Sequence, residues 1–196
     1  MKFPKDATEQ EKKLKWHKIA EIKDADFGFE RADEGSTGIR FSTRCVLLNE
    51  KNEICMIRSA KYGYMQIPGG GIDAGESIKE GLRREVREEA GWEIDELQPL
   101  GYIEEYRETA EQRRQKHWSE DTTFVYIAKP VKYIGTHYME DEIAEGFEPV
   151  WMSPEKALQF KSQAGHVESY SGNFANMRDL QILKYFMRGK INYDKD

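Results

Sequence analysis

Glu85, Glu88 and Glu89 stand close together in a stretch with helical spacing. At about 100° per residue, a helix carries all three on one face. That face overlaps the edge of an apolar stripe formed by Ile78, Leu82, Val86 and Ala90. Like charges three and four residues apart destabilise a helix by roughly a few tenths of a kcal/mol per pair, and by more when water is excluded. A hard divalent cation with oxygen ligands offsets that repulsion. Upstream, Pro68 precedes Gly69, Gly70 and Gly71. Such a run lets the backbone pass close to a ligand and can offer a carbonyl as a further oxygen donor. Carboxylates on one side of Mg²⁺, with the remaining positions left to water and phosphate oxygens, suit phosphoryl chemistry. There, charge neutralisation and placement of the attacking water supply most of the catalysis.

The pattern extends beyond the three carboxylates. Gly70, five residues, Glu76, seven residues, then Arg84-Glu85-Val86-Arg87-Glu88-Glu89-Ala90-Gly91 and Trp92 resembles the Nudix box, the signature of hydrolases that cleave a nucleoside diphosphate linked to another moiety. Every fixed position is filled. Trp92 stands where the family usually has an aliphatic residue, and Gly81 where Ala is common, at a helix cost of about 1 kcal/mol. The resemblance implies a Nudix-type α/β/α sandwich with a mixed β-sheet and a metal-dependent pyrophosphohydrolase. It further implies Mg²⁺ (or Mn²⁺) held by Glu85, Glu88, Glu89 and the Gly69 carbonyl, with Glu88, Glu89 and Arg84 in the catalytic machinery and Arg84 orienting carboxylates. Gly70, Glu76 and Gly91 are structural in the motif. Family members activate water with a Glu inside the box or in a loop before the last strand. In that loop the chain offers Glu142, Glu145 and Glu148, and Glu142 is favoured because Glu148 adjoins the strand and Pro149.

Substrate contacts are less sharply marked. Arg44 and Arg58 lie on strand-like runs leading to the glycines and could reach phosphate oxygens, although sheet-surface ion pairs suit them equally. Arg113, Arg114 and Lys116 sit in a polar stretch that reads as a solvated loop. Trp118, Tyr133, Tyr138 and Phe174 could stack on a base, with core packing the commoner role. Residues 170–174 resemble a tail of some bacterial Nudix proteins, and Asn173 or Asn176 could hydrogen-bond a base edge. ADP-ribose-type members usually carry Pro where Glu108 stands, and Tyr106 is early for a dinucleoside-polyphosphate type. A nucleoside triphosphate or related nucleotide remains as the expected substrate. The competing reading is a non-catalytic nucleotide-sensing Nudix module, in which the charged box positions are commonly broken; here they are intact. A prenyl-diphosphate isomerase would need Cys and Glu positions for which Cys45 and Cys55 show no context.

Several elements must position these residues. Ser77 with Glu80 forms a capping box for a helix over 77–91 that Gly91 can stop. Strands are predicted over 39–48, 54–58, 62–67, 100–107, 122–131 and 149–152. Ser153 and Pro154 start a helix, and another runs over 174–188. Residues 6–24 read as a marginal amphipathic helix on Leu14, Ile19 and Ile22. Turn chemistry at 33–38 separates an N-terminal extension, expected to be helical, over 1–35 from a Nudix domain over 36–190, with a tail at 191–196.

Composition bounds the rest. The 196 residues carry 30 Lys plus Arg against 36 Asp plus Glu, a net charge of −6. That balance argues against a nucleic-acid polymer or a basic membrane patch as partner. Four Trp, 10 Tyr and 9 Phe are too many for a disordered chain. The longest apolar run, 124–128, is far short of the roughly 20 residues that span a bilayer. The charged first residues do not resemble a signal peptide, and Cys45 and Cys55 read as buried small hydrophobes rather than a disulfide or zinc set. A cytoplasmic protein acting on a small-molecule nucleotide, with a homodimer left open, is expected.

Overall fold

The computed structural model describes residues 1–29, 38–107, 120–164 and 169–193. One sheet has the order β1-β5-β6-β2, built from Lys18–Lys23, Trp92–Tyr106, Glu120–Tyr133 and Ile39–Leu47. It is mixed: β1 runs parallel to β5 and β2 parallel to β6, while β5 and β6 are antiparallel. A second, antiparallel sheet has the order β4-β3-β7, from Met65–Gln66, Ile54–Ser59 and Phe147–Met152.

Strand alternation sends successive side chains to opposite faces, and two separate cores result. Cys45, Leu47, Cys55, Ile57, Phe124 and Tyr126 pack with Ile78, Leu82, Val86 and Ala90 on one side. Val46, Ile54, Met56 and Val125 pack with Ala157, Phe174, Ile182 and Leu183 on the other. The first side belongs to α2, Ile78–Glu85, which continues as a π-helical turn over Val86–Ala90. The second belongs to α4, Pro154–Gln163, and α5, Tyr170–Tyr193. This is the α/β sandwich with a mixed sheet that the sequence implied. Cys45 and Cys55 are free and buried, as expected of small hydrophobes. Among the described residues no helix is long and apolar enough to cross a membrane.

The N-terminal segment departs from expectation. Only Glu9–Lys13 is helical (α1), and the remainder of the expected helix over 6–24 is replaced by β1 and a 3₁₀ turn, Asp24–Phe27. The apolar spacing of 6–24 was too loose to hold a helix against pairing with β5, which buries Ile22. Residues 136–146, where no element is predicted, contain α3, Glu140–Glu145, closed by Gly146 in the left-handed region at φ 66°. Strands β5 and β6 are longer than predicted, while the expected 62–67 strand shrinks to β4. The turn at 33–38 and the loop carrying Glu108, Arg113, Arg114, Lys116 and Trp118 lie almost wholly outside the described residues.

Candidate metal centre and active site

Residues 65–72 cross from one sheet to the other. Met65 and Gln66 pair with β3, after which the Pro68 and Gly70 carbonyls accept the N–H groups of Cys45 and Thr43 on β2, each at 2.9 Å. The Gly69 carbonyl between them takes no hydrogen bond among the described residues. A Cβ on Gly69 would strike the Thr43 carbonyl, and one on Gly70 would overlap the Glu85 carboxylate. Gly69 therefore requires glycine, since the atom it would strike is backbone and its φ is 136°, whereas a side chain at Gly70 would push the Glu85 carboxylate aside.

Helix α2 opens with the expected reciprocal cap: the Ser77 N–H donates to the Glu80 carboxylate at 2.8 Å, and Ser77 Oγ accepts the Glu80 N–H at 3.4 Å. The spacing predicts a continuous helix to Gly91, but the far end is a π turn over Val86–Ala90, which alters the spacing of Glu85, Glu88 and Glu89. Carbonyls at this end are met by the chain after β6. The Glu88 carbonyl accepts the His137 N–H, the Glu89 carbonyl accepts Tyr138 Oη–H, and the Gly91 carbonyl accepts the Ile134 N–H.

Arg84 organises the first part of the cluster. Its Nε and Nη2 donate to the two oxygens of Glu76 at 2.8 and 3.0 Å, and Nη2 also reaches the Gly71 carbonyl at 2.9 Å. Its Nη1 donates to Glu85 at 2.8 Å and Glu88 at 3.2 Å. The hydrogen bonds to Arg84 hold the Glu76 carboxyl below its ordinary pKa. Glu88 is 42% exposed, whereas Glu89 is only 5% exposed. Glu89 Oε2 accepts the Gly69 N–H at 2.7 Å, and its Oε1 has only a 3.5 Å contact with Gln66 Nε2. Burial pushes the Glu89 carboxyl up to about 8; Arg44 and the Gly69 N–H pull it down, and the charges of Glu85 and Glu142 add to the rise. Burial raises the Glu85 carboxyl as well, against the opposing Arg84.

Among the described residues no three Asp, Glu, His or Cys side chains are gathered closely enough to hold a metal ion. The carboxylates instead converge on Arg84 and the glycine segment. The donor set nevertheless fits a hard divalent cation: a buried carboxylate with one short hydrogen bond, a second partly buried carboxylate, a more exposed third, and an unused carbonyl at Gly69.

The remaining expected site residues are distributed as follows. Arg44 is 7% exposed, donates to the Thr43 carbonyl at 3.1 Å, and leaves its Nε without a hydrogen bond. Burial lowers its pKa to about 10, with Arg178 adding to the fall and Asp179 and Glu89 opposing it. Arg58 is not in this group; it forms an ion pair with Glu148 across the β3–β7 register. Glu145 accepts the Tyr64 hydroxyl at 2.8 Å, and the Glu142 carboxylate accepts the Met139 N–H at 2.8 Å as a cap of α3. Asn173 is 3% exposed in the first turn of α5 and donates to the Ser169 carbonyl at 3.1 Å; Asn176 donates to the Lys161 carbonyl at 3.4 Å. Phe174 lies in the second core, and Tyr133 packs edge-on against Trp92. Sequence reasoning missed Gln66 and Tyr138 as partners of Glu89. Gln66 sits just ahead of the glycine run, which was the available signal, whereas nothing local marks Tyr138.

The chain is similar to the 8-oxo-dGDP phosphatase NUDT18 of Homo sapiens, 34% identical over 109 residues, which is 54% of this chain and 30% of that protein. It is similar to the RNA pyrophosphohydrolase of Ruthia magnifica subsp. Calyptogena magnifica, 35% identical over 65 residues, 33% of this chain and 36% of that one. The chain thus spans about a third of the length of these curated relatives. Its fold resembles a NUDIX hydrolase from Nitrosomonas europaea, with a TM-score of 0.54 at 18% identity, covering 78% of this chain and 91% of that one. Residues 38–171 match the NUDIX domain, and they take in both the glycine segment and the glutamate helix described above: the chain belongs to the NUDIX domain family.

Proposed function

We propose that the chain hydrolyses the phosphoanhydride of a nucleoside diphosphate derivative, a nucleoside triphosphate or related nucleotide, with Mg²⁺ or Mn²⁺ as cofactor. The observation that carries this reading is the Glu89 carboxylate. It is buried, held by the Gly69 N–H, and raised to about 8 in the absence of a cation. Buried carboxylates rarely stay without a compensating positive charge, and the box around this one is complete.

In this reading Glu85, Glu88, Glu89 and the Gly69 carbonyl would hold the cation. When bound, it would neutralise phosphate charge and lower the pKa of coordinated water. The chain's own residues supply the rest. Arg84 fixes the orientation of Glu76, Glu85 and Glu88 through its planar fork. Arg44, with an unused Nε beside Glu89, is suited to a phosphate oxygen. Glu142 is the candidate base: its charge is felt at Glu89, whereas Glu145 is engaged by Tyr64 and Glu148 by Arg58. Glu142 accepts the Met139 N–H through Oε2, which leaves Oε1 to take a proton from water. The names of the curated relatives, one an 8-oxo-dGDP phosphatase and one an RNA pyrophosphohydrolase, support a nucleotide phosphoanhydride as the class of bond cleaved. The net charge of −6 and the free, buried cysteines support a cytoplasmic setting and a small-molecule substrate.

The test is a panel of nucleoside triphosphates, nucleoside diphosphates including 8-oxo-dGDP, and RNA, incubated with purified protein and Mg²⁺ and analysed for products. Nucleoside monophosphate or released phosphate that disappears with a chelator is expected. Tight nucleotide binding with no bond cleaved would contradict the reading and favour the nucleotide-sensing module.

A further inference from the structure

The two oxygens of Glu89 are held by one stretch of chain, Gln66 through its side chain and Gly69 through its N–H. That stretch has two anchors. On one side β2 takes the Pro68 and Gly70 carbonyls. On the other, two side chains from the helical layer grip the backbone just upstream. Lys161 of α4, 4% exposed, donates from Nζ to the Met65 carbonyl at 2.8 Å. Asp179 of α5, fully buried, accepts the Ile67 N–H on Oδ2 at 3.1 Å. The two are themselves an ion pair, Nζ to Oδ2 at 3.3 Å.

Burying two charges is expensive, and a pair of well-packed apolar side chains usually stabilises a fold as well or better. Simple helix packing therefore does not account for this pair. Both charges reach main-chain atoms flanking Gln66, at Met65 and at Ile67, the latter two residues before Gly69, and the second Asp179 oxygen faces Arg178 at 3.6 Å. From these contacts we propose that Lys161 and Asp179 are positioning residues for the metal centre: a buried clamp that fixes residues 65–69, so that the Gly69 N–H orients Glu89 while the Gly69 carbonyl stays free to serve as a ligand. The proposal rests on the metal-centre assignment above and extends it to a layer on the opposite face of the sheet from α2. Ligand geometry set within a fraction of an ångström by such supporting contacts is what gives a cation site its affinity.

Three proteins compared with wild type test it: Lys161→Met, the double variant Lys161→Met/Asp179→Leu, and Ala157→Gly. The last loosens α4 packing at a buried position in the same core as Ile67 while leaving the Lys161 and Asp179 side chains in place. Mn²⁺ affinity is measured by electron paramagnetic resonance, melting temperature by circular dichroism, and kcat and KM on a nucleotide that wild type cleaves. Lys161→Met and the double variant should each bind Mn²⁺ at least ten-fold more weakly and need correspondingly more Mg²⁺ for half-maximal kcat, with KM for nucleotide within two-fold of wild type. The double variant should melt at or above Lys161→Met, since Asp179 is no longer left buried without Lys161 and Arg178 keeps its ion pair with Glu105, yet its Mn²⁺ affinity should not recover. Ala157→Gly should melt lower and bind Mn²⁺ normally. A folded double variant with wild-type Mn²⁺ affinity, or equal weakening in Ala157→Gly, would overturn the clamp. If wild type binds Mn²⁺ and only the clamp variants lose it, but no nucleotide is ever cleaved, the clamp stands and the hydrolase reading falls.

Discussion

At the scale of single residues, Glu89 concentrates the chemistry. Its carboxyl is raised to about 8 in the metal-free fold, so between about pH 4.5 and 8 the folded chain keeps a proton that the unfolded chain has released. The stability contributed by this group is complete below the unfolded carboxyl's pKa and is lost as pH rises through about 8. Chelator-treated protein should therefore melt at progressively lower temperature across that window, and Glu89→Gln should flatten the dependence in a pH series of thermal melts. Divalent cation binding needs the carboxylate form, so Mn²⁺ affinity should rise with pH over the same range. Turnover should fall by several orders of magnitude in Glu89→Gln and in Glu85→Gln, while metal-free stability stays equal or rises in Glu89→Gln; retained turnover in both would remove the site assignment. Gly70→Ala tests the close approach separately, since its Cβ would displace the Glu85 carboxylate. That variant should lose metal-dependent turnover while keeping its far-ultraviolet circular dichroism.

At the scale of elements, the glutamate helix was legible because its signals are local: Ser77 and Glu80 at capping-box spacing, an apolar stripe, and Gly91, which takes φ 75° at the stop. Strands β2, β3 and β7 were legible from apolar runs for the same reason. What the sequence hid was non-local. Strand β1 forms because β5 offers it an edge, and the π turn at Val86–Ala90 is tied to carbonyl bonds from His137 and Tyr138, more than forty residues downstream. Arg58 could be assigned neither to substrate nor to an ion pair until β7 brought Glu148 beside it. The start of α2 also depends on a distant residue: Glu11, 1% exposed, accepts the Lys79 N–H at 2.8 Å and the Thr8 N–H at 2.7 Å. Glu11→Ala leaves two part-buried N–H groups without their carboxylate and should cost about 1–3 kcal/mol in urea denaturation. A change below a few tenths of a kcal/mol would show that solvent replaces the carboxylate there.

At the scale of the whole molecule, the N-terminal segment is built into the domain. Phe3 and Trp16 pack on Phe124 at 5.6 and 5.0 Å between ring centroids, and β1 covers the edge of β5. Removing residues 1–23 would strip two aromatics packed against the core and expose β5 as a long edge strand, which invites association between chains. The truncated protein should elute as aggregate in size-exclusion chromatography at concentrations where the full chain does not. The larger arrangement is two helical layers acting on one glycine segment, α2 presenting carboxylates and α4 with α5 holding the backbone those carboxylates meet. Titration of Mn²⁺ into chelator-stripped protein, followed by electron paramagnetic resonance, tests this most directly. The account predicts saturable binding by wild type that is lost in Glu89→Gln; an unchanged free Mn²⁺ spectrum with wild type, or equal binding by the variant, would contradict it.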